Sequence, residues 1–371
     1  MRTAAGDLVG VEFPLFAFSH CRDVVAAVTN AGGFGVLGGT TFTPQDLDVE
    51  LDWIDAHTGG RPYGVDILIP AKVVDRGDKP DRDLQELIPD DHRSFVNRIL
   101  TDHGLEPLAP RPPRQRPMGV LPEAAADLLD VAFAHPIRLI ANALGVPTPA
   151  MVERAHSAGV PVASLVGTPT HAHRQVDAGV DLLVAQGGEA GGHTGDISTM
   201  VLIPEVIDAV GSAVPVLAAG GIVTGRQMAA AMALGADGAW TGSVWLTTEE
   251  AETAPATKAK MLGATSSDTV RSRSRTGKPS RQLRSAWTDA WEAGDSPTPL
   301  PMPLQTMLTE PALRRIDTAA AGGDAAAVEL ATYWVGQGVG LLRAIRPVRA
   351  VVEEWMLDFA GAAERLAGLL S

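Results

Sequence analysis

The chain has 371 residues, 45% of them apolar, and a formal net charge of −14. That length suits one α/β barrel carrying insertions, while the acidic balance excludes a nucleic-acid or anionic-membrane surface, both of which need clustered Lys and Arg. A single cysteine, Cys21, excludes an intrachain disulfide and a multi-cysteine metal site, so no metal is expected.

The first residues lack the apolar core of a signal peptide, and no 18-residue apolar run escapes Gly and Pro punctuation. A soluble, cytoplasmic protein is the expectation. From there a phrase recurs: an amphipathic helix, a Gly at its end, then a short apolar run, as in AGGFGVL (31–37), AGVPVASLV (158–166) and AGVDLLVAQ (178–186). Runs that are apolar along their whole length, rather than alternating, read as parallel strands covered by helices on both faces.

Candidate strands fall near 13–18, 33–39, 63–69, 138–144, 160–167, 182–187, 215–221 and 238–245. Helices are predicted between them, near 21–31, 44–57, 122–134, 149–158, 170–178, 202–210, 225–234 and 248–262. Eight strands, each followed by a helix, predict an α/β fold, a closed (β/α)₈ TIM barrel over residues 1–262. Residues 70–121 are polar and Pro-rich and interrupt the third β–α step as an insertion, with a short helix around 91–103. Residues 263–371 read as a helical extension packed on the barrel, with helices near 309–320, 324–345 and 347–369.

Barrel active sites lie at the C-terminal ends of the strands, and phosphate often binds in the loops after strands seven and eight. Those loops here are Ala219-Gly220-Gly221-Ile222, followed by a helix opening at Thr224, and Thr241-Gly242-Ser243. Glycines let backbone N–H groups approach phosphate oxygens with no Cβ in the way. Directly after strand six, Gln186 to Gly195 holds five glycines around a single imidazole, His193. Such a loop suits a backbone lying against a flat ligand, and the imidazole could take a proton from a carbon acid. Glu189 reads as a carboxylate that holds this loop through backbone N–H groups.

Other patterns carry less. Gly33–Gly38 matches the dinucleotide fingerprint letter for letter but lies within a strand instead of opening a helix. His171 and His173 are two apart, wrong for chelation from one helical face. Ser19-His20-Cys21 lacks an elbow pattern and reads as the first β–α loop bordering the pocket. The run Arg271, Arg273, Arg275, Lys278, Arg281 and Arg284 reads as a solvated or salt-bridged loop, with an anion contact as the second reading.

The segments GGEAGGHTG (187–195) and LAAGGIVTGRQMAAAMALGADGAWTGSVWLTTEEA (217–251) resemble the flavin mononucleotide (FMN)-dependent nitronate monooxygenases. FPLFAFSHCRDVVAAVTNAGGFGVLGG (13–39) is similar to that family's opening strand, helix and turn, and Gly336-Gln337 to another of its landmarks. The resemblance covers most of residues 10–262. It implies oxidation of a small-molecule nitronate by O₂ to a carbonyl compound and nitrite. It also implies FMN phosphate on Gly220, Gly221, Gly242 and Ser243, with Gln186, Gly187 and Gly192 against the ring. The backbone of Ala17 and Phe18 would face the ring, and His193 would be catalytic. Asp66 stands where the family commonly has Asn near the flavin, and Phe16-Ala17-Phe18 stands where Met is expected. Relatives with the same string reduce a quinone or an enoyl thioester with NAD(P)H, which is the alternative activity; a non-catalytic flavin-binding barrel is the alternative of another class. A homodimer is one assembly the reading allows.

Overall fold

The computed structural model describes residues 1–68, 84–109 and 122–369. Its strands are β1 (Leu15–Ser19), β2 (Phe34–Gly38), β3 (Gly64–Asp66), β4 (Ile140–Asn142), β5 (Val162–Val166), β6 (Leu182–Gln186), β7 (Gly192–His193), β8 (Val216–Ala219), β9 (Gly238–Thr241), β10 (Thr269–Ser272) and β11 (Ser280–Leu283). Strands β1 to β6, β8 and β9 close into one parallel barrel, all eight of them at the positions the apolar runs predict. Among the described residues no helix is long and apolar enough to cross a membrane.

The surrounding helices start where short polar residues can bind orphan amides. Thr43, Thr148 and Thr168 each accept the N–H three residues on, and each is followed by Pro in the first turn. A Thr cap contributes about 1 kcal/mol, and Pro there gives up no helical hydrogen bond. At the other ends, Gly159 and Gly179 take φ of +68° and +88°, turning the chain straight into the next strand.

Side-chain alternation decides what faces the barrel axis. Phe16, Phe34, Val36, Ala141, Ala163, Val184, Leu217, Ala219 and Trp240 share one buried interior cluster, with Ala5 and Val9 of the first helix plugging its base. Ala17, Val65, Ile140, Val162, Leu183 and Ala239 pack outward against helices. The inward parity therefore runs on to Phe18, Gly38, Asp66, Leu165 and Gln186 at the C-terminal rim, which form the floor of the mouth.

Two expectations change. The helix predicted over 324–345 is helical only at Ala325–Leu330; the chain then runs extended and re-forms one turn at Gln337–Leu341. The helix predicted over 248–262 begins at Pro255, after a tight turn of helix at Ser243–Thr247. The helix Asp90–Asp102, predicted at 91–103, buries Phe95, Val96, Ile99 and Leu100. They pack with Trp287, Trp291, Leu308, Leu313 and Ile316 of the tail. Insertion and tail thus share an apolar cluster of their own above the barrel. The PRPPRQRP run (110–117) lies outside the described residues.

Candidate active site

The Arg-rich stretch is not a free loop. It folds into the β10–β11 hairpin, and β11 pairs antiparallel with β7, setting Ser280 opposite His193 and Arg281 opposite Gly192. The glycine-rich segment after β6 is thereby pinned as an edge strand. Arg281 Nε donates to the Gly188 carbonyl at 2.9 Å, and Arg271 ion-pairs with Asp196 at the far end of the same loop. Glu189 does what its sequence reading expects: its Oε2 accepts the Thr199 N–H at 2.8 Å and lies 2.6 Å from the Thr199 hydroxyl. The loop is held on three sides.

These contacts fix the imidazole. His193 Nε2 is 2.8 Å from Thr276 Oγ1 in the hairpin turn, and Gln186 Nε2 donates to the His193 carbonyl at 2.6 Å. Among the described residues none hydrogen-bonds Nδ1, so that nitrogen is left for a ligand. Burial, with the positive charges of Lys278 and Arg275, lowers the His193 pKa to about 4. The ring is therefore neutral at physiological pH, the form that can accept a proton.

The predicted residues assemble around one mouth. Phe18, Asp66 and Gln186 belong to the rim of β1, β3 and β6; Gly192 neighbours His193; Gly220, Gly221, Gly242 and Ser243 follow β8 and β9. Ala17 is fully buried with its side chain outward, so only its backbone borders the mouth. Gly187 and Gly220 press on each other through Thr199 and leave no room for side chains. Ser243 Oγ accepts the Gly336 N–H at 2.9 Å, which leaves its hydroxyl hydrogen to donate. Gln337 N–H donates to the Glu189 carbonyl at 2.9 Å, so the tail straps both the β6 and the β9 loops.

The fit to a flavin can be tested on the glycines. A Cβ added at Gly242 or at Gly192 would meet nothing within 4 Å, in an otherwise tightly packed rim. That is open space beside backbone N–H groups at two of the positions a phosphate and a ring would need. The residues fit the group. A separate cavity of about 490 Å³ lies behind Gly220 and Gly221, also lined by Glu189, Thr199 and Leu341. Neither His193 nor Gly242 lines it.

Asp66 is 4% exposed, and burial pushes its pKa up from 3.8 to about 7 against the opposing effect of the Ala143 N–H. A carboxyl raised this way stabilises the fold below its unfolded pKa and loses that contribution as pH climbs to about 7. In flavin-free protein Asp66→Asn is therefore expected to be near neutral at about pH 4 and stabilising above about pH 8, by on the order of 4 kcal/mol at most. Thermal unfolding at the two pH values measures it; an equal difference at both would show that Asp66 is not the titrating group.

Sequence reasoning missed Thr276 and Trp334, and left Arg275 in a run read as solvated or salt-bridged with an anion contact as the second reading. Trp334 Nε1 donates to Ser280 Oγ at 3.3 Å, and its ring lies 6.0 Å from the His193 ring. His20, read as a pocket border, sits at the rim with Nδ1 3.0 Å from the Gly38 carbonyl and its ring 5.1 Å from Phe18. Only the Thr-Gly-Lys-Pro turn signal (276–279) marked the hairpin in the sequence.

A family model described as nitronate monooxygenase matches residues 6–358. The chain is similar to a candidate monooxygenase of Mycobacterium tuberculosis, 57% identical over 374 residues and covering 100% of both chains. It is also similar to an octahydroindene carboxyl-CoA dehydrogenase of that organism, 29% identical over 299 residues, covering 79% of this chain and 69% of the relative. Among solved structures, nitroalkane oxidase from Streptomyces ansochromogenes superposes with a TM-score of 0.80 at 27% identity, covering 98% of this chain and 100% of the other.

Proposed function

Because the chain belongs to the nitronate monooxygenase family of flavin-dependent oxidoreductases, we propose that it binds FMN and oxidises alkyl nitronates with O₂ to a carbonyl compound and nitrite. The observation that carries this reading is the neutral, Thr276-anchored His193 beside the glycine-lined rim. The flavin, when bound, supplies the redox chemistry by accepting electrons from the substrate carbanion.

The chain's own residues do the rest. Gly220, Gly221, Gly242 and Ser243 would hold the phosphate through backbone N–H groups and one hydroxyl, while Gln186, Gly187 and Gly192 border the ring. Phe18 and Leu165 give the floor an apolar surface, and Asp66, pushed up to about 7 by burial, would meet the ring as a neutral acid only below that pH. His193 Nδ1 would hydrogen-bond a nitro oxygen, or take the α-proton when the substrate arrives as the neutral nitroalkane. The strap of Tyr333 to Leu341 covers the loops and helps to exclude water.

The similarity to a CoA-thioester dehydrogenase keeps NAD(P)H-linked reduction of an enoyl thioester or quinone as the second reading. Anaerobic mixing separates the two. Fast bleaching of the flavin by a nitronate, and slow bleaching by NADPH, is the expected result; the reverse order would replace the first reading with the second.

A further inference from the structure

We propose that Arg275 is the anion-binding residue of the substrate chamber, holding the paired oxygens of the nitronate so that the enzyme selects the anion over the neutral nitroalkane. The inference rests on the nitronate reading above for the identity of the substrate, but not for the existence of the anion site.

The Arg275 guanidinium holds donors that no protein group satisfies. Arg275 is 9% exposed, and neither its Nε nor its Nη1 has a hydrogen-bond partner. Its nearest carboxylate oxygen, on Glu310, is 3.8 Å from Nη2, an ion pair but beyond hydrogen-bond reach. A buried donor left unpaired costs about 1–3 kcal/mol, and more when it is charged. Natural structures retain such a group where a ligand completes it.

Its place says which ligand. The guanidinium carbon sits 4.4 Å from the centroid of the Trp334 ring, over its face, which leaves Nε and Nη1 buried with no protein acceptor. The same indole lies 6.0 Å from the His193 ring, and the next residue, Thr276, is the one that anchors His193 Nε2. Arg275 and His193 thus flank the same indole on the hairpin side of the mouth. Its positive charge reaches both histidines of the mouth, since it contributes to lowering the pKa of His193 and of His20. Lys278 faces His193 as well, while Glu310, Asp317 and Tyr333 face Arg275 from the tail. A planar guanidinium matches a planar pair of oxygens bidentately, which an ammonium does not.

The test uses the flavin-loaded enzyme with Arg275→Met and Arg275→Lys, and nitrate as a planar oxyanion probe. In the wild type, nitrate is expected to bind by calorimetry and to compete with the nitronate. Arg275→Met should raise the nitronate KM and the nitrate Kd by about tenfold or more, with kcat changed far less and a smaller loss for the neutral nitroalkane. Arg275→Lys, which keeps charge and stem, should fall between the two. Unchanged KM and nitrate Kd in both variants would overturn the proposal, as would loss confined to kcat. Should the wild type bind nitrate through Arg275 yet turn over no nitronate, the anion site stands and the proposed reaction falls. Should it oxidise nitronates with no dependence on Arg275, the reaction stands and this inference falls.

Discussion

His193→Ala is expected to keep its flavin and to lose turnover by roughly 10²–10⁴-fold, the range that a positioned acid–base group supplies. The imidazole's backbone carbonyl is held by Gln186 and its strand by Ser280 and Arg281, so removing the ring leaves the loop in place. Visible absorbance per mole of protein reads the cofactor, and nitrite release reads the chemistry. The pH dependence adds a second arm. A base whose folded pKa is about 4 is already deprotonated across the neutral range, so wild-type kcat/KM should stay level down to about pH 5 and fall as the ring protonates near pH 4. Retained activity in the variant would remove His193 from the reaction, and a fall centred near pH 6.5 would mean that the ring is not buried as described.

The same residues explain what the sequence disclosed. All eight barrel strands were legible because each is buried on both faces, and burial on both faces writes itself as an unbroken apolar run such as Leu182-Leu183-Val184-Ala185. The glycine loop with its lone imidazole and the paired glycines after β8 were legible because glycine is the residue that close backbone approach selects. The hairpin was not. Thr269-Val270-Arg271-Ser272 and Ser280-Arg281-Gln282-Leu283 are short and polar; they pair with each other, and the second also pairs with the distant Gly192-His193 strand, which no local pattern reports. The tail misled in the opposite direction. Ala331 to Leu342 is apolar enough to read as helix, yet Tyr333 must present its carbonyl to the Leu283 N–H, and Gly336 must lie so close to the Glu189–Gly191 backbone that an added Cβ would collide with it. A Cβ built at Gly336 would stand 2.6 Å from the Glu189 carbonyl oxygen, so tertiary demands override helix propensity there. The positions of Thr276, Arg275 and Trp334 follow from that same pairing, which is why the wall opposite the glycines could not be foreseen.

Gly242→Leu is expected to empty the protein of flavin while sparing the fold. Most glycines of the rim cannot separate these effects. Gly220 has a φ of +115° and packs on Thr199 and Gly187, so any side chain there disturbs the loop before a cofactor is considered. Gly242 has a φ of −133°, which other residues adopt, and a Cβ would find nothing within 4 Å. The flavin-free variant should therefore unfold within about 0.5 kcal/mol of the wild type, as substitutions into open space do. A leucine in that space would nonetheless stand where the proposed phosphate site brings its ligand to the backbone of Gly242 and Ser243. Flavin content after reconstitution should drop more than about tenfold, against a wild type that loads fully. Full loading of the variant would show that the vacant volume beside Gly242 is not the phosphate site, and the flavin would have to be gripped from the β8 turn alone.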